Sequence, residues 1–522
     1  MLSRILFGVL VLAASSVLTA ATPSFQFANP VRAGNYPDPS VIRVGADYWA
    51  TATSSEWAPH FPLLHSRDLV NWEVKGYVFA TAPGWAKANF WAPEIAQDRG
   101  KFFIYYTARQ ISDNRLAVAV ATADHPSGPY TDRGPLVAQK AGSIDAVPFT
   151  DATGVRWLLW TEDGNSRKIP SIIWLQRLRE DGLALVGERR EILRNDVPWE
   201  GAVVEGPFVL RRGGYYYLFY SGAACCGRNC NYALGVARAT EMTGPCEKAP
   251  TNPILAGNAA WRCPRHGSIV DDPSGRLWFL YHAYADKGFV ATGREMLLDE
   301  VIFGADGWPS INGGRGPSTR ASGPTAALAQ ADSTRFRADF TGSGELAAGW
   351  QWPLGRRPAA RIADGALTLT ARGGPATAVR SITVPSFVAE TAVEARRLTA
   401  GASAGLVLYG DPANSLALVT DGKKIQVWNH RRGQRSIVAE TAAAAGESIR
   451  LRVACLDGNR FRFAVRNGDG AWTELAGETD GSFLPPWDRG VRVGVYVSSA
   501  DGAAGGFNYF SSTPDDSKLF AP

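Results

Sequence analysis

The sequence predicts an all-β chain, a five-bladed β-propeller followed by a β-sandwich. Three observations carry this. Aromatic-rich strands recur five times behind a glycine turn at nearly constant spacing, one polar residue stands just ahead of each, and the C-terminal part changes to short segments of alternating polarity joined by DG and NG turns.

With 522 residues the chain exceeds what one hydrophobic core organises, so two folded domains are expected. Apolar residues make up 45% against 20% charged, which excludes disorder as the general state. The net charge of +5 is small for this length and the Lys and Arg residues are scattered, so neither nucleic acid nor an anionic membrane is indicated as a partner. Residues 1–21 read as a secretory signal peptide: Arg4 precedes an apolar run that closes on the small residues SVLTAAT, with cleavage expected near Ala20 or Ala21. The run is interrupted by a Ser pair and a Thr and falls short of the ~20 apolar residues of a membrane span. The expected location is therefore secreted or periplasmic, with no membrane contact after cleavage.

Export permits disulfides. Of six cysteines, Cys225, Cys226, Cys230, Cys246 and Cys263 crowd one stretch, so one or two local bridges are expected there. A zinc site is the rival reading, but the spacing C-C-x3-C lacks the paired CxxC elements such sites use. Cys455 alternates with Leu451 and Val453 in RLRVACL and reads as a buried strand residue.

The propeller is expected over 22–312. Its repeats are GADYWATAT, GKFFIYYTA, GVRWLLWTE, GYYYLFYSG and GRLWFLYHA, whose leading glycines lie 55, 54, 60 and 61 residues apart. A unit of this size without helical periodicity accommodates the four strands of a propeller blade. Asp38, Glu94, Asp145, Glu205 and His266 precede the five glycines by 7, 6, 9, 9 and 9 residues. The innermost strands of a propeller line its central channel, so these five residues are expected to converge on one axis.

Four carboxylates and a histidine facing one cavity are costly unless solvated, partly protonated or engaged with a ligand. Crowding and burial both raise carboxyl pKa values, so one acid of such a cluster stays protonated near neutrality. Glycoside hydrolysis needs that division: a protonated acid for the leaving oxygen and an ionised carboxylate acting from the other side of the sugar. Asp38 is set between Pro37 and Pro39, which restrict the backbone on both sides and predict an extended segment that aims the carboxylate.

The strings GNYPDPS, HSRDLVNW, FWAPEI, SIDAVPF, VVEGPF, RHGSIV and GREMLLDEVIFGADGWP, in this order over about residues 27 to 320, resemble glycoside hydrolase family 43, the β-xylosidases and α-L-arabinofuranosidases. The resemblance implies an inverting hydrolase that releases xylose or arabinofuranose units from hemicellulose or its oligosaccharides. It implies Asp38 as general base on water, Glu205 as general acid, and Asp145 as the group that orients Glu205 and raises its pKa. Arg294 of GREM is implied to hydrogen-bond sugar hydroxyls and Trp91 of FWAPE to wall the reacting sugar. Glu94 is assigned to substrate binding from its axial place, and Phe61, with Trp57, to the rim of the funnel. His266 is implied to stand, through water, beside a structural and optional calcium ion, and no cofactor is required for the chemistry. Arg265 departs from the family, which commonly has glycine there.

The stretch 313–335, rich in Gly, Ser, Ala, Thr and Pro, reads as a linker. Beyond it, 336–522 is expected to form the sandwich, from alternating segments such as GALTLTAR and IRLRVACLDGNRFRFAVRNG. This part resembles the concanavalin-like jelly-roll that follows the propeller in many family members. Two competing readings are a non-catalytic sugar-binding propeller and a glycosidase of related fold acting on galactan or fructan.

Overall fold

The computed structural model describes residues 25–515 apart from 326, 444–447, 469, 499 and 500. The signal peptide expected over 1–21 lies outside the described residues. Five antiparallel sheets follow one another, each built from strands in chain order. The first is Ser40–Val44, Asp47–Thr51, His60–Ser66 and Glu73–Phe79; the second Ala86–Asp98, Lys101–Gln110, Leu116–Ala123 and Thr131–Val137. The third is Ser143–Thr150, Arg156–Glu162, Ile172–Leu178 and Leu185–Arg194; the fourth Val204–Arg212, Tyr215–Gly222, Ala233–Ala239 and Glu247–Lys248. The fifth is Gly267–Asp271, Leu277–Ala285, Glu295–Phe303 and Pro309–Ile311, with Trp261–Arg262 beside its second strand.

The aromatic runs are the second strands of these blades, and their composition follows from having both faces buried. One apolar cluster fills each gap between neighbours. In the second blade Ile104 and Tyr106 point toward the first blade with Phe61 and Phe90, whereas Phe103 and Tyr105 point toward Leu158 and Trp160 of the third. Clusters around Leu159 and Leu218, around Phe219 and Phe279, and around Tyr48 and Trp278 complete the ring. Blades splay outward like wedges, so large rings fill gaps that aliphatic side chains would leave void.

Each blade comes from contiguous chain, so the ring closes through side chains and the N-terminal segment rather than through a shared sheet. Val41 N donates to Ser268 Oγ at 2.9 Å, and Arg43 pairs with Asp271 across the first and fifth blades. Gln26–Ala28 pairs with Arg320–Ser322, and Asn29 Nδ2 donates to the carbonyls of Leu298 and Ser318 while its Oδ1 accepts from Leu298 N. The stretch 313–335 thus runs back over the propeller; Thr325 bonds Asp272 and Gln330 bonds Ala28.

The C-terminal part stacks two antiparallel sheets. A six-stranded sheet has the order Ala376–Ser381, Arg492–Val497, Ala404–Asp411, Asn414–Thr420, Lys424–Arg431 and Gln434–Ala442. The other carries Phe387–Glu394, Ser448–Leu456, Arg460–Asn467 and Ala504–Pro514 at its centre. Cys455 is fully buried in the core between them. Trp57–Ala58, a short strand inserted in the first blade, pairs with Trp352–Pro353 and seats the Trp57 ring on the outer face of the six-stranded sheet. Among the described residues no helix is long and apolar enough to cross a membrane.

Candidate active site

The inner strands break regularity where they carry the axial residues. Their ladders shift register between Trp91 and Glu94, between Ile144 and Val147, and between Glu205 and Phe208. Asp38 and Asp145 adopt left-handed backbone with φ of 52° and 56°. Bulges of this kind re-aim a side chain, here toward the channel. The extended backbone expected of Asp38 between its prolines is therefore corrected. The turn is held because Asp38 N donates to His282 Nδ1 at 2.9 Å and Thr53 N donates to Pro37 O at 2.8 Å. Gly206, following Glu205, has φ of 58°, and a Cβ there would stand 3.0 Å from both His266 Cγ and Ser221 Oγ, so any side chain would be strained and would crowd both neighbours.

A second register supports the first. Thr107, Thr161, Ser221 and His282 stand seven residues after the glycines of the last four repeats, on the second strands. Thr107 Oγ1 accepts from Asp145 N of the next blade, His282 Nδ1 from Asp38 N, and Ser221 Oγ from Arg265 Nε. In the first blade Thr53 does the same work, accepting from Ala92 N while donating to Asp38 Oδ2, both at 2.7 Å. Sequence reasoning missed this set, although its spacing was a usable signal.

Asp38 is almost enclosed. Burial pushes its pKa up, but Arg294, whose Nη1 lies 3.2 Å from Oδ1, and the Thr53 hydroxyl outweigh burial and hold the carboxyl down at about 2. Asp38 is thus an ionised acceptor at any ordinary pH. His282, accepting two backbone N–H groups through Nδ1 and kept neutral by burial, fixes the turn without adding charge.

Asp145 and Glu205 behave oppositely. Burial raises both; the charges of Glu205 and Asp38 add to it at Asp145, and those of Asp163 and Asp38 at Glu205, which reaches about 7. Gly206 N donates to Asp145 Oδ2 at 3.1 Å and Tyr232 OH to Glu205 Oε1 at 2.7 Å. The two acids titrate as a pair that holds one proton near neutrality. The Tyr232 hydroxyl stabilises the ionised form of Glu205, so a Tyr232→Phe variant is expected to raise the pair's upper pKa and move the alkaline limb of kcat/KM to higher pH. A pH–rate profile checks this, and a shift downward or none would count against that role for Tyr232.

Glu94 faces the channel beside Ser40 and Arg265, and burial lifts it to about 8. Arg265 itself is wholly buried; its Nε donates to Ser221, an Nη2 hydrogen to the carbonyl of Gly206, and among the described residues its Nη1 has no hydrogen-bond partner. His266 Nδ1 lies 3.9 Å from an oxygen of Asp38 and of Asp145. Burial and the two guanidiniums push it down to about 4 against the pull of Asp38, so it is a neutral imidazole. These groups do not suit calcium, which takes six to eight oxygen ligands. The buried guanidinium of Arg265 beside the imidazole opposes a divalent cation, and among the described residues no group of three His, Cys, Asp or Glu is arranged to hold a metal.

Arg294 bridges the two domains: besides Asp38 it donates from Nη2 to Asp488 O at 3.0 Å. Trp91 is half-buried and meets Trp487 edge to face at 6.3 Å. Trp487 is 60% exposed, so the sandwich loop that carries it forms part of the pocket mouth. Phe61, expected on the rim, is corrected: it is fully buried against Phe79, Phe90 and Tyr106, because His60–Ser66 is the third strand of its blade rather than a loop. Trp57 is likewise covered, by the sandwich. The cysteine stretch borders Tyr232: Cys230 and Cys263 have Cα atoms 6.0 Å apart with their sulfurs in contact, Cys225 and Cys226 are adjacent, and Cys246 stands apart.

A propeller whose channel sets an ionised carboxylate beside a proton-sharing acid pair defines a glycoside hydrolase. The model of glycosyl hydrolases family 43 matches residues 27–309, and that of the β-xylosidase C-terminal concanavalin A-like domain matches 337–512. The chain belongs to glycosyl hydrolase family 43. It is 28% identical over 466 residues to xylosidase/arabinosidase 43B of Humicola insolens, covering 84% of this chain and 83% of that protein. It is 32% identical over 308 residues to a xylosidase/arabinosidase of Butyrivibrio fibrisolvens, covering 56% of this chain and 57% of that protein. The crystal structure of the GH43 protein BlXynB from Bacillus licheniformis superposes with a TM-score of 0.80 at 26% identity, covering 94% of this chain and all of that one.

Proposed function

We propose that the protein is a secreted or periplasmic pentosidase that removes xylose or arabinofuranose from hemicellulose or its oligosaccharides with inversion at the anomeric carbon. The observation that carries this reading is the split in proton affinity within one channel, Asp38 down at about 2 and Glu205 up at about 7. Asp38 takes a proton from water as the water oxygen attacks the anomeric carbon. Glu205 delivers its proton to the glycosidic oxygen as the bond to the aglycone breaks, and Asp145 keeps that proton on the pair until then. The cycle leaves Asp38 protonated and Glu205 ionised, and proton exchange with solvent restores both. Arg294 steers the base and presents a planar donor fork beside it. Trp91 offers an indole face to the C–H surface of the sugar, and the loop bearing Trp487 narrows the opening, which favours a chain end. Relatives named as xylosidase/arabinosidases support the pentose class. The signal-like N-terminus supports export, under which Cys230 and Cys263 form a disulfide that braces the segment carrying Tyr232, just ahead of the strand Ala233–Ala239.

The test is turnover of p-nitrophenyl β-xyloside, α-arabinofuranoside and β-galactoside, with proton NMR of the first-formed sugar. Cleavage of one or both pentosides with an inverted anomer is expected. Retention would remove Asp38 as base, and activity confined to the galactoside would remove the pentose assignment.

A further inference from the structure

The outer face of the six-stranded sheet carries more apolar surface than a solvent-facing sheet needs. Register places Val379, Gly494, Val407, Ala417 and Trp428 side by side across five strands. Small residues at the centre of that row make a trough. Tyr496 stands on one side of it, and Tyr409 with Ser415 and His430 on the other. A strand exposes alternate side chains, so a face left to water would alternate polar residues here. Trp57 of the propeller covers part of the trough, with its ring centroid 5.5 Å from that of Tyr409. Beside it an open cavity of about 780 Å³ remains, floored by Tyr409 and Tyr496 and by the buried Trp428, over whose ring the Arg435 guanidinium lies at 4.4 Å, and ringed by Glu56, Arg356 and Asp411.

We propose that this cavity is a second carbohydrate site, which holds a non-reacting stretch of the polysaccharide or oligosaccharide cleaved in the propeller. Aromatic faces suit the C–H surfaces of a sugar, and planar guanidinium and carboxylate groups suit its hydroxyl pairs. The volume lies in the range of ligand pockets and accommodates a short oligosaccharide. Its place favours the same polymer. Glu56 and Trp57 follow closely on Thr53, which bonds Asp38, and Arg489 of the cavity wall follows Asp488, whose carbonyl accepts from Arg294. The two sites therefore share the segments 53–57 and 488–489 as a common partition. Occupying both with one chain turns the second contact into an intramolecular one.

The identity of the sugar rests on the pentosidase reading, and the experiment separates the two. Calorimetric titration of xylohexaose and of α-1,5-arabinohexaose into a Glu205→Gln variant, which does not consume them, is expected to show two binding events with one of these ligands. Adding Ser415→Trp, which fills the trough without removing a core side chain, is expected to abolish one event. In the otherwise unaltered enzyme, Ser415→Trp leaves kcat/KM on nitrophenyl pentosides unchanged and raises KM on polymeric arabinoxylan roughly tenfold. If Ser415→Trp does not fold, Tyr496→Ala takes its place. A single binding event that neither substitution alters, with polymer KM unchanged, would overturn the second site. Absence of turnover on every pentoside would overturn the activity instead, and the titration still decides the cavity.

Discussion

Glu205→Gln is expected to lower kcat on xylobiose or arabinobiose by on the order of 10³-fold, and on a p-nitrophenyl pentoside by clearly less. The amide keeps the shape of the side chain and its hydrogen bond to Tyr232 but has no proton to give. A nitrophenolate leaves without help, whereas a sugar alkoxide does not, so the loss follows the leaving group. The same variant should lose the alkaline limb of the pH profile. In the parent enzyme that limb falls as pH rises through about 7, where the pair of Glu205 and Asp145 gives up its proton. Equal losses on both substrates, or an alkaline limb that persists, would show that Glu205 is not the proton donor.

Asp38→Asn is expected to be at least as damaging, with a loss on the order of 10³ to 10⁴ in kcat that is the same for activated and unactivated substrates. Water activation is common to both, so no leaving group rescues it. Because Arg294, the Thr53 hydroxyl and their neighbours hold Asp38 ionised down to about 2, the parent enzyme keeps its base as pH falls through the usual carboxylate range, and activity on the acid side should fail only near that value or where the fold itself fails. The substitution also leaves the buried Arg294 guanidinium without its counter-charge, so a lower Tm should accompany the kinetic loss. Thermal unfolding and kcat/KM measured side by side separate the two. A variant with near-parent turnover would remove Asp38 from the chemistry.

How much of this was readable beforehand differs from residue to residue. Asp38, Glu94, Asp145, Glu205 and His266 were marked by a repeat, because equivalent positions of successive blades must meet at the axis. Of the polar residues seven positions after the glycines of the last four repeats, Thr107, Ser221 and His282 obey the same geometry, yet Thr107 and Ser221 resemble ordinary strand residues until the hydrogen bonds to the next blade are drawn. Tyr232 and Trp487 carried no repeat. Tyr232 reaches Glu205 from just ahead of the third strand of its own blade, and Trp487 arrives from the other domain, hundreds of residues from the acids. Phe61 was misplaced because the aromatic segment after Trp57 reads equally as a rim loop or as a strand of the blade, and only pairing with its neighbours decides.

Composition and period by themselves determined the ring of blades, the acids at its hub and the sandwich that follows, since each depends on spacing along the chain and on which faces must be buried. Tertiary structure alone decided the left-handed turn that aims Asp38, the guanidinium beneath the acid pair, the sandwich loop at the pocket mouth and the hollow against Trp57. Those features arise from contacts between segments remote in sequence, and both proton affinity and cavity shape are properties of such contacts rather than of any one stretch of chain.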